Sequence, residues 1–397
     1  MQVDEISESP ILALIDQIFR LRQEGRTVLG LHIGEPDLET PAGIRDAAYA
    51  AMNAGFTHYV AAQGMPDLRA GIAQRLRDRH RVPCGAEDVV VMSAKFAIYA
   101  TLLATVGPGD EVLVPNPSYL FEQPLELVGA QPVYVPLNPD FSLDVPAIRD
   151  AVTSRSRLLM LVTPGNPTGR VLRLEELRAV LELAREHHLT VISDETYESL
   201  VYEGTHVSAA SVADPEVPVV TVGSFSKTYA MTGWRAGYAV APPAIRRRLV
   251  KVMEHTLTCV PPFIQQACLW ALENGAADEE RIRSVFRARR DHLLTRLQTV
   301  DGLSTPRPGG AFYVFPRYEV DLPSVELCTE LLREEQVAVV PGVAFGPEGE
   351  HHLRISYTSP VEALDEGVRR IERVLGRHRS RSSCRARPRA PARADPF

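Results

Sequence analysis

The run Leu158-Leu159-Met160-Leu161-Val162 carries no polar side chain, and Val219-Val220-Thr221-Val222 carries a single hydroxyl. A strand with one face in water alternates apolar and polar residues. A strand that is apolar along its length is buried on both faces, as in the middle of a parallel sheet. These two runs belong to a longer alternation. Strands are predicted at 111–114, 132–136, 157–163, 190–193, 219–223 and 236–241, with helical patterns between them. A short buried strand at 89–92 precedes them, which makes a sheet of the seven-stranded type. Alternating strands and helices build an α/β domain, with a mostly parallel sheet flanked by helices.

The pattern changes on either side of that core. Helices are predicted at 10–25, 41–54, 66–80, 96–106, 243–256 and 262–299, and a short strand at 28–33 ends in Gly34-Glu35-Pro36-Asp37. Beyond the last of these helices come strands at 311–315, 337–340 and 352–357 and helices at 324–335 and 360–376, the pattern of a smaller α+β domain. The resulting division is an N-terminal arm (1–40) packing on the small domain, a large domain (41–275), the small domain (276–376) and a tail (377–397). At 397 residues the chain exceeds one typical core, which agrees with two domains. The tail holds seven Arg against one Asp and almost nothing apolar to bury, so disorder is expected there. An anion-binding tail is the other reading, and a basic run alone is weak support for it.

Net charge is −7, which argues against a nucleic-acid binder, and no apolar run reaches membrane length. The acidic start, Met1-Gln2-Val3-Asp4-Glu5, does not look like a signal peptide. Cys84, Cys259, Cys268, Cys328 and Cys384 are odd in number, scattered and without metal spacing. They read as reduced thiols of a cytoplasmic protein, with no motif for a nucleophile and no metal site.

Of 43 basic residues only Lys95, Lys227 and Lys251 are lysines. A guanidinium cannot form an imine with an aldehyde, whereas an amine can. Lys227 lies in Ser224-Phe225-Ser226-Lys227-Thr228, with Arg235 eight residues on. Small hydroxyls and a nearby cation suit a phosphate, and an amine beside a phosphate site is what a pyridoxal phosphate enzyme needs. Taken alone, the motif also describes a surface lysine in a Ser/Thr loop. Three successive strand ends change the balance. Thr163-Pro164-Gly165-Asn166-Pro167-Thr168-Gly169 follows 157–163, Asp194-Glu195-Thr196-Tyr197 follows 190–193, and the lysine segment follows 219–223. Ligands of open α/β sheets bind at such ends.

On these motifs the chain resembles the fold-type I pyridoxal phosphate enzymes of the class I/II aminotransferase family, aspartate aminotransferase-like, from about residue 33 to 360. The resemblance implies pyridoxal 5′-phosphate as cofactor, joined to Lys227 as an internal aldimine. Lys227 is then also the base that moves the substrate proton. It implies that Asp194 pairs with the pyridine nitrogen, that Tyr197 and Asn166 bond the phenolic oxygen, and that Tyr119 stacks on the ring. Ser224, Ser226, Arg235 and the main-chain N–H groups of Ala94 and Lys95 are implied to hold the phosphate. The sequence departs from the family at Ser93, where glycine is usual, so the turn geometry there is an open point. Tyr59 matches a tyrosine that reaches the phosphate of a neighbouring subunit, which implies a homodimer with a shared site. The stretch 255–263 is expected to approach the cofactor across that interface.

Arg354, mid-strand in Leu353-Arg354-Ile355, is the implied partner of a substrate α-carboxylate, with an internal salt bridge as the alternative. Gly34 and Asn166 are implied beside the same carboxylate, and Gly310-Ala311-Phe312-Tyr313 near the pocket. The expected reaction is ping-pong transfer of an amino group between an L-amino acid and a 2-oxo acid. Elimination, replacement, oxidation or carbon–carbon bond formation through the same quinonoid intermediate is the alternative, and the motifs do not separate these. No motif marks a second arginine for an acidic side chain, so acidic, neutral and aromatic substrates stay open.

Overall fold

The computed structural model describes residues 10–119 and 121–385. Seven strands form one sheet in the order Val89–Val91, Gly237–Val240, Val219–Ser224, Thr190–Asp194, Ser156–Val162, Glu111–Asn116, Gln131–Pro136. The last five run parallel. Gly237–Val240 is antiparallel to both its neighbours. Parallel pairing needs a crossover across the sheet. The link 225–236 instead holds only the short helix Phe225–Thr228 and a single 3-10 turn, Thr232–Trp234, so the chain turns straight back.

The apolar strands are buried on both faces. Leu158 and Met160 pack on one side with Ile98, Leu102 and Leu249, from the helices Ala94–Thr105 and Pro243–Glu254. Leu159 and Leu161 pack on the other with Leu177, Val180 and Leu181 of the helix Leu174–Glu186. This is the period-two alternation of a strand, and each such side chain withdrawn from water contributes about 1.5–3 kcal/mol.

A second, smaller layer holds the antiparallel strands Tyr313–Val314, Leu353–Ser356 and Val340–Pro341. Helices Ala276–Leu297, Ser324–Glu335 and Val361–Arg385 cover it through Leu293, Leu327, Leu331, Leu364 and Ile371. Leu29–Gly30 pairs parallel with Val337–Ala338, and Leu14 and Ile18 pack with Phe315, Leu332 and Phe345. The described part of the N-terminal arm thus lies on this layer, while residues 1–9 fall outside the described residues. Tyr197, Leu200 and Tyr202, just beyond the strand Thr190–Asp194, share a cluster with Phe312, Tyr313 and Ile355. The ends of the large sheet therefore face the small layer at the point where the sequence motifs cluster.

Several elements differ from expectation; the predicted strand at 337–340, for one, is two short strands, Val337–Ala338 and Val340–Pro341, in different sheets. The predicted strand at 28–33 pairs only over Leu29–Gly30. The predicted helix at 262–299 is two helices, Pro262–Asn274 and Ala276–Leu297. At Gly275 between them, a Cβ would lie 2.5 Å from the Ala271 carbonyl oxygen and 2.8 Å from the Tyr229 ring, so only glycine lets the chain pass. The last helix continues to Arg385, into the tail expected to be disordered. There Arg377 bonds Glu334 (3.0 Å) and Glu335 (2.9 Å), and His378 meets Glu330 at 2.8 Å. Composition counted these basic residues as solvated, whereas an acidic helix lies beside them. Residues 386–397 of the tail lie outside the described residues. Among the described residues, no helix is long and apolar enough to cross a membrane.

Candidate active site

The strand Val219–Ser224 ends in a four-residue helix, Phe225–Thr228, whose N-cap is Ser224. The Ser224 Oγ accepts the Ser226 N–H at 3.1 Å, which satisfies an otherwise unpartnered donor. The turn places Lys227, half-buried, with its Nζ donating to the Gly34 carbonyl at 2.6 Å and lying 5.6 Å from the centre of the Phe312 ring. Burial pushes the Lys227 ammonium down to about 8, with Arg235 and Arg354 acting the same way and Glu35 and Asp194 opposing. A lysine near 8 is largely available as a neutral amine in mildly alkaline water.

Beside this turn is the start of the helix Ala94–Thr105. Its first N–H groups have no acceptor within the helix; the Ala97 N–H is bonded to the Ser93 carbonyl. The two places nearest the turn cannot carry side chains. A Cβ on Gly237 would sit 2.5 Å from the Gly223 oxygen and 3.1 Å from the Ala94 nitrogen, and one on Gly223 would strike the Tyr238 ring. The result is a small cradle of backbone N–H groups and hydroxyls, which suits a phosphate. Ser93 has φ −67° and ψ 145°, ordinary extended backbone, so a serine there costs no strain.

Asp194 ends the neighbouring strand and is 6% exposed. Its Oδ1 accepts the Thr196 N–H at 3.0 Å and the Thr196 hydroxyl at 2.5 Å. Burial raises its carboxyl above the ordinary range, and the two Thr196 bonds pull the other way. A cation placed against it would restore its charge. Tyr197, one turn on, is buried and shares a 2.8 Å hydrogen bond with the Tyr313 hydroxyl. Burial holds its phenol well above the usual value, so it keeps its proton. Tyr119 is half-buried, and burial raises its phenol; Tyr313, Asp194, Arg354 and Arg235 all act on it, which locates it in the same site.

Arg354 lies in the strand Leu353–Ser356, 4% exposed. Its Nη1 donates to the Asn166 Oδ1 at 3.1 Å and its Nη2 to the His32 carbonyl at 2.6 Å. The guanidinium stands 4.6 Å from the Tyr313 ring centre and 4.9 Å from that of Phe345. Its Nε is buried without a partner, and among the described residues it forms no ion pair with a carboxylate. An internal salt bridge was the alternative to a substrate contact, and none is formed. A buried cation without an anion is costly, and what offsets it in this chain is two hydrogen bonds and two ring faces. His32 does not compensate, because burial and then Arg354 push its imidazole down to about 4 and keep it neutral.

The structure therefore gathers Lys227, Asp194, Tyr197, Asn166, Tyr119, Arg354 and Gly34 about one space. Ser224, Ser226 and the backbone of Ala94 form its edge. Arg235 is exposed and in the left-handed region (φ 57°), with its Nη1 on the Thr232 carbonyl at 2.7 Å, yet within electrostatic reach of Lys227. The Lys95 side chain is exposed, and Tyr59 is 86% exposed and contributes nothing to the site within this chain. Sequence reasoning missed His32, Glu35 and Phe345. Glu35 lies in the Gly34-Glu35-Pro36-Asp37 segment but had no role of its own there, His32 and Phe345 stand in no motif, and the 3-10 turn Gly342–Phe345 sets Phe345 against Arg354. Tyr313 was anticipated only as part of a nearby segment, without its bond to Tyr197.

Residues 26–371 match the family "Aminotransferase class I and II". The aspartate aminotransferase of Pyrococcus abyssi is 39% identical, over 91% of this chain and 95% of its own length. The structure of the Thermus thermophilus aspartate aminotransferase with maleate superposes with a TM-score of 0.89 at 35% identity, covering 94% of this chain and 98% of that one. The aromatic aminotransferase of Pyrococcus horikoshii does so with a TM-score of 0.85 at 39% identity, covering 92% and 99%. The fold-type I architecture, the strand-end motifs and these likenesses agree: the chain belongs to the class I and II aminotransferase family and is an aminotransferase.

Proposed function

We propose that the protein transfers the amino group of an L-amino acid to a 2-oxo acid with pyridoxal 5′-phosphate held at Lys227. When bound, that cofactor supplies the carbonyl that takes up the amino group and a ring that accepts the electron pair left on the substrate carbon. The residues present fit it. Backbone N–H groups of Ala94 and Lys95, with Ser224, Ser226 and Arg235, hold the phosphate. Asp194 holds the ring nitrogen in its protonated form, and that contact keeps the buried carboxylate charged. Asn166 and Tyr197 hydrogen-bond the phenolic oxygen, Tyr197 as a donor because its proton is held so firmly. Tyr119 offers a ring face. Lys227 carries a proton to and from the substrate carbon, a task suited to a group titrating near neutrality.

The observation that carries this reading is a pair of cations in one site. One is a buried arginine with no carboxylate partner among the described residues, and the other is a lysine that burial brings to about 8, so that it gives up its proton in mildly alkaline water. Arg354 binds the α-carboxylate, with Asn166 and the backbone at Gly34 beside it, and Lys227 meets the α-amino end. One site serves both half-reactions, so kinetics are ping-pong. The relatives named above act on aspartate or aromatic amino acids. Tyr313 and Phe345 flank Arg354 here, and the proposal claims the α-carboxylate alone. Mixing the yellow enzyme with a panel of amino acids and no acceptor tests it. One equivalent of 2-oxo acid and of aminated cofactor by mass spectrometry is the expected result; a cofactor that returns as the aldehyde with a fragmented product refutes it.

The same reading includes a cytoplasmic homodimer. Tyr49, Met52, Phe56 and Tyr59 are 66%, 41%, 37% and 86% exposed, a run of large apolar side chains that a second copy would cover. Tyr59 would then reach the phosphate of that copy. An active, strictly monomeric protein refutes this part. Cys84, Cys259, Cys268 and Cys328 are free thiols, as a reducing compartment keeps them.

A further inference from the structure

Glu195 follows Asp194 in the chain, is 2% exposed, and has both carboxylate oxygens engaged. Its Oε1 accepts from the Ser193 hydroxyl (2.8 Å), the Ser208 hydroxyl (2.9 Å) and the Ala209 N–H (3.1 Å). Its Oε2 lies 3.0 Å from the His206 Nε2. Three of these four partners are neutral in every state. Among the described residues, His206 is the one that can bring a positive charge to this carboxylate. A buried carboxylate left uncompensated beside Asp194 would act against the charge that Asp194 needs; Glu195 is among the groups that raise the Asp194 carboxyl.

We propose that His206 is a positioning residue that carries a proton in the working enzyme, so that the His206–Glu195 pair is neutral and Asp194 is the one net negative group behind the cofactor ring. This rests on the reading in which Asp194 holds the ring nitrogen.

The surroundings of His206 favour its charged form. Its ring meets the His80 ring edge to face, with centres 4.9 Å apart. The His80 Nε2 is itself 2.9 Å from Glu198, which pairs at 2.8 Å with Arg75. Arg75 also pairs with Glu279 at 3.1 Å, and Arg79 of the same helix pairs with Glu279 too. The groups facing His206 from the packed elements are thus Glu195 and Glu198, with His80 between, while Arg75 and Arg79 are each engaged by a carboxylate. His206 Nδ1 is buried with no hydrogen-bond partner, so a proton there is an unsatisfied donor that opposes the charged form, and the carboxylates act against that cost. Burial opposes the charge, but the bond and charge of Glu195, then Glu198, outweigh it and raise the imidazole.

The test reads the pH midpoint of the visible band of the lysine-bound cofactor. Extra negative charge favours the protonated form and raises that midpoint. His206→Gln keeps a donor for Glu195 but cannot be charged. It should raise the midpoint by roughly half to one pH unit, on the order of what an added unit charge beyond direct contact does at an effective dielectric near 20. Glu195→Gln should leave it unchanged, because His206 gives up its proton with its anion. The double variant should return it to the wild-type value, which a purely structural role would not do. Equal midpoints in wild type and His206→Gln, or a double variant no nearer wild type than the single one, overturn the proposal.

Should His206→Gln fail to fold, histidine ¹⁵N NMR of the native holoenzyme decides. One imidazole should stay doubly protonated at pH 8.5 and vanish in Glu195→Gln; its absence overturns the proposal. A wild-type protein that shows no visible band with the cofactor would instead overturn the parent reading, so the two failures are distinct.

Discussion

Replacing Arg354 with leucine separates a substrate-binding arginine from a structural one. In the free protein, Nη1 and Nη2 each spend one hydrogen, on Asn166 and on the His32 carbonyl, while Nε has no partner. A carboxylate can therefore take two charge-assisted hydrogen bonds from the remaining donors. Each such bond is worth about 1.5–3 kcal/mol, so the pair contributes roughly 3–6 kcal/mol, and each 1.4 kcal/mol is a factor of ten. Arg354→Leu should thus lower kcat/KM for α-amino acids by about 10²–10⁴-fold. An amine of similar shape without the carboxylate should react at nearly the same low rate with both proteins. Stability should change little, because leucine removes an uncompensated buried charge while it forfeits two hydrogen bonds. The assay is single-turnover reduction of the visible band with the two substrates, alongside thermal unfolding. Equal losses for both substrates, or unfolding lowered by the 3–5 kcal/mol typical of a broken internal ion pair, would refute the assignment.

Further outcomes follow from the same geometry. Lys227→Ala should abolish the visible band of the bound cofactor; an unchanged spectrum would remove Lys227 from its role. The burial that brings Lys227 to about 8 makes its amine neutral above that pH. The rate at which apoenzyme captures the cofactor should therefore rise with a midpoint near 8 in stopped-flow absorbance, and a midpoint near the ordinary lysine value would contradict the burial argument. Asp194→Asn keeps the shape but not the charge, so kcat should fall by about 100-fold or more, with the fold intact by circular dichroism. Tyr197→Phe should leave the Tyr313 hydroxyl buried without its bond, at a cost of about 1–3 kcal/mol in chemical denaturation.

Much of the fold was legible in the chain itself. The runs 158–162 and 219–222 are apolar because strands inside a doubly covered sheet have no solvent face, and that demand leaves its mark residue by residue. The loops after three strands carry amide, carboxylate, phenol and amine in order, since an open parallel sheet presents its chemistry at those ends. Lys227 stood out because an amine is chemically distinct in a chain whose other cations are almost all guanidinium. These are local properties, and a local pattern suffices to reveal them.

The rest depended on residues far apart in sequence. That Arg354 meets no carboxylate among the described residues is a fact about every group around it, from His32 to Phe345, and no run of residues states it. The acidity of Lys227 follows from burial, and then from Arg235 and Arg354, groups that other segments of the chain bring beside it. The break at Gly275 is required by the Tyr229 ring, and the ordered start of the basic tail by Glu330, Glu334 and Glu335. Periodicity and motif are written along the chain. Dielectric environment, charge balance and close approach are set by whatever the fold brings alongside, so only the tertiary structure decided them.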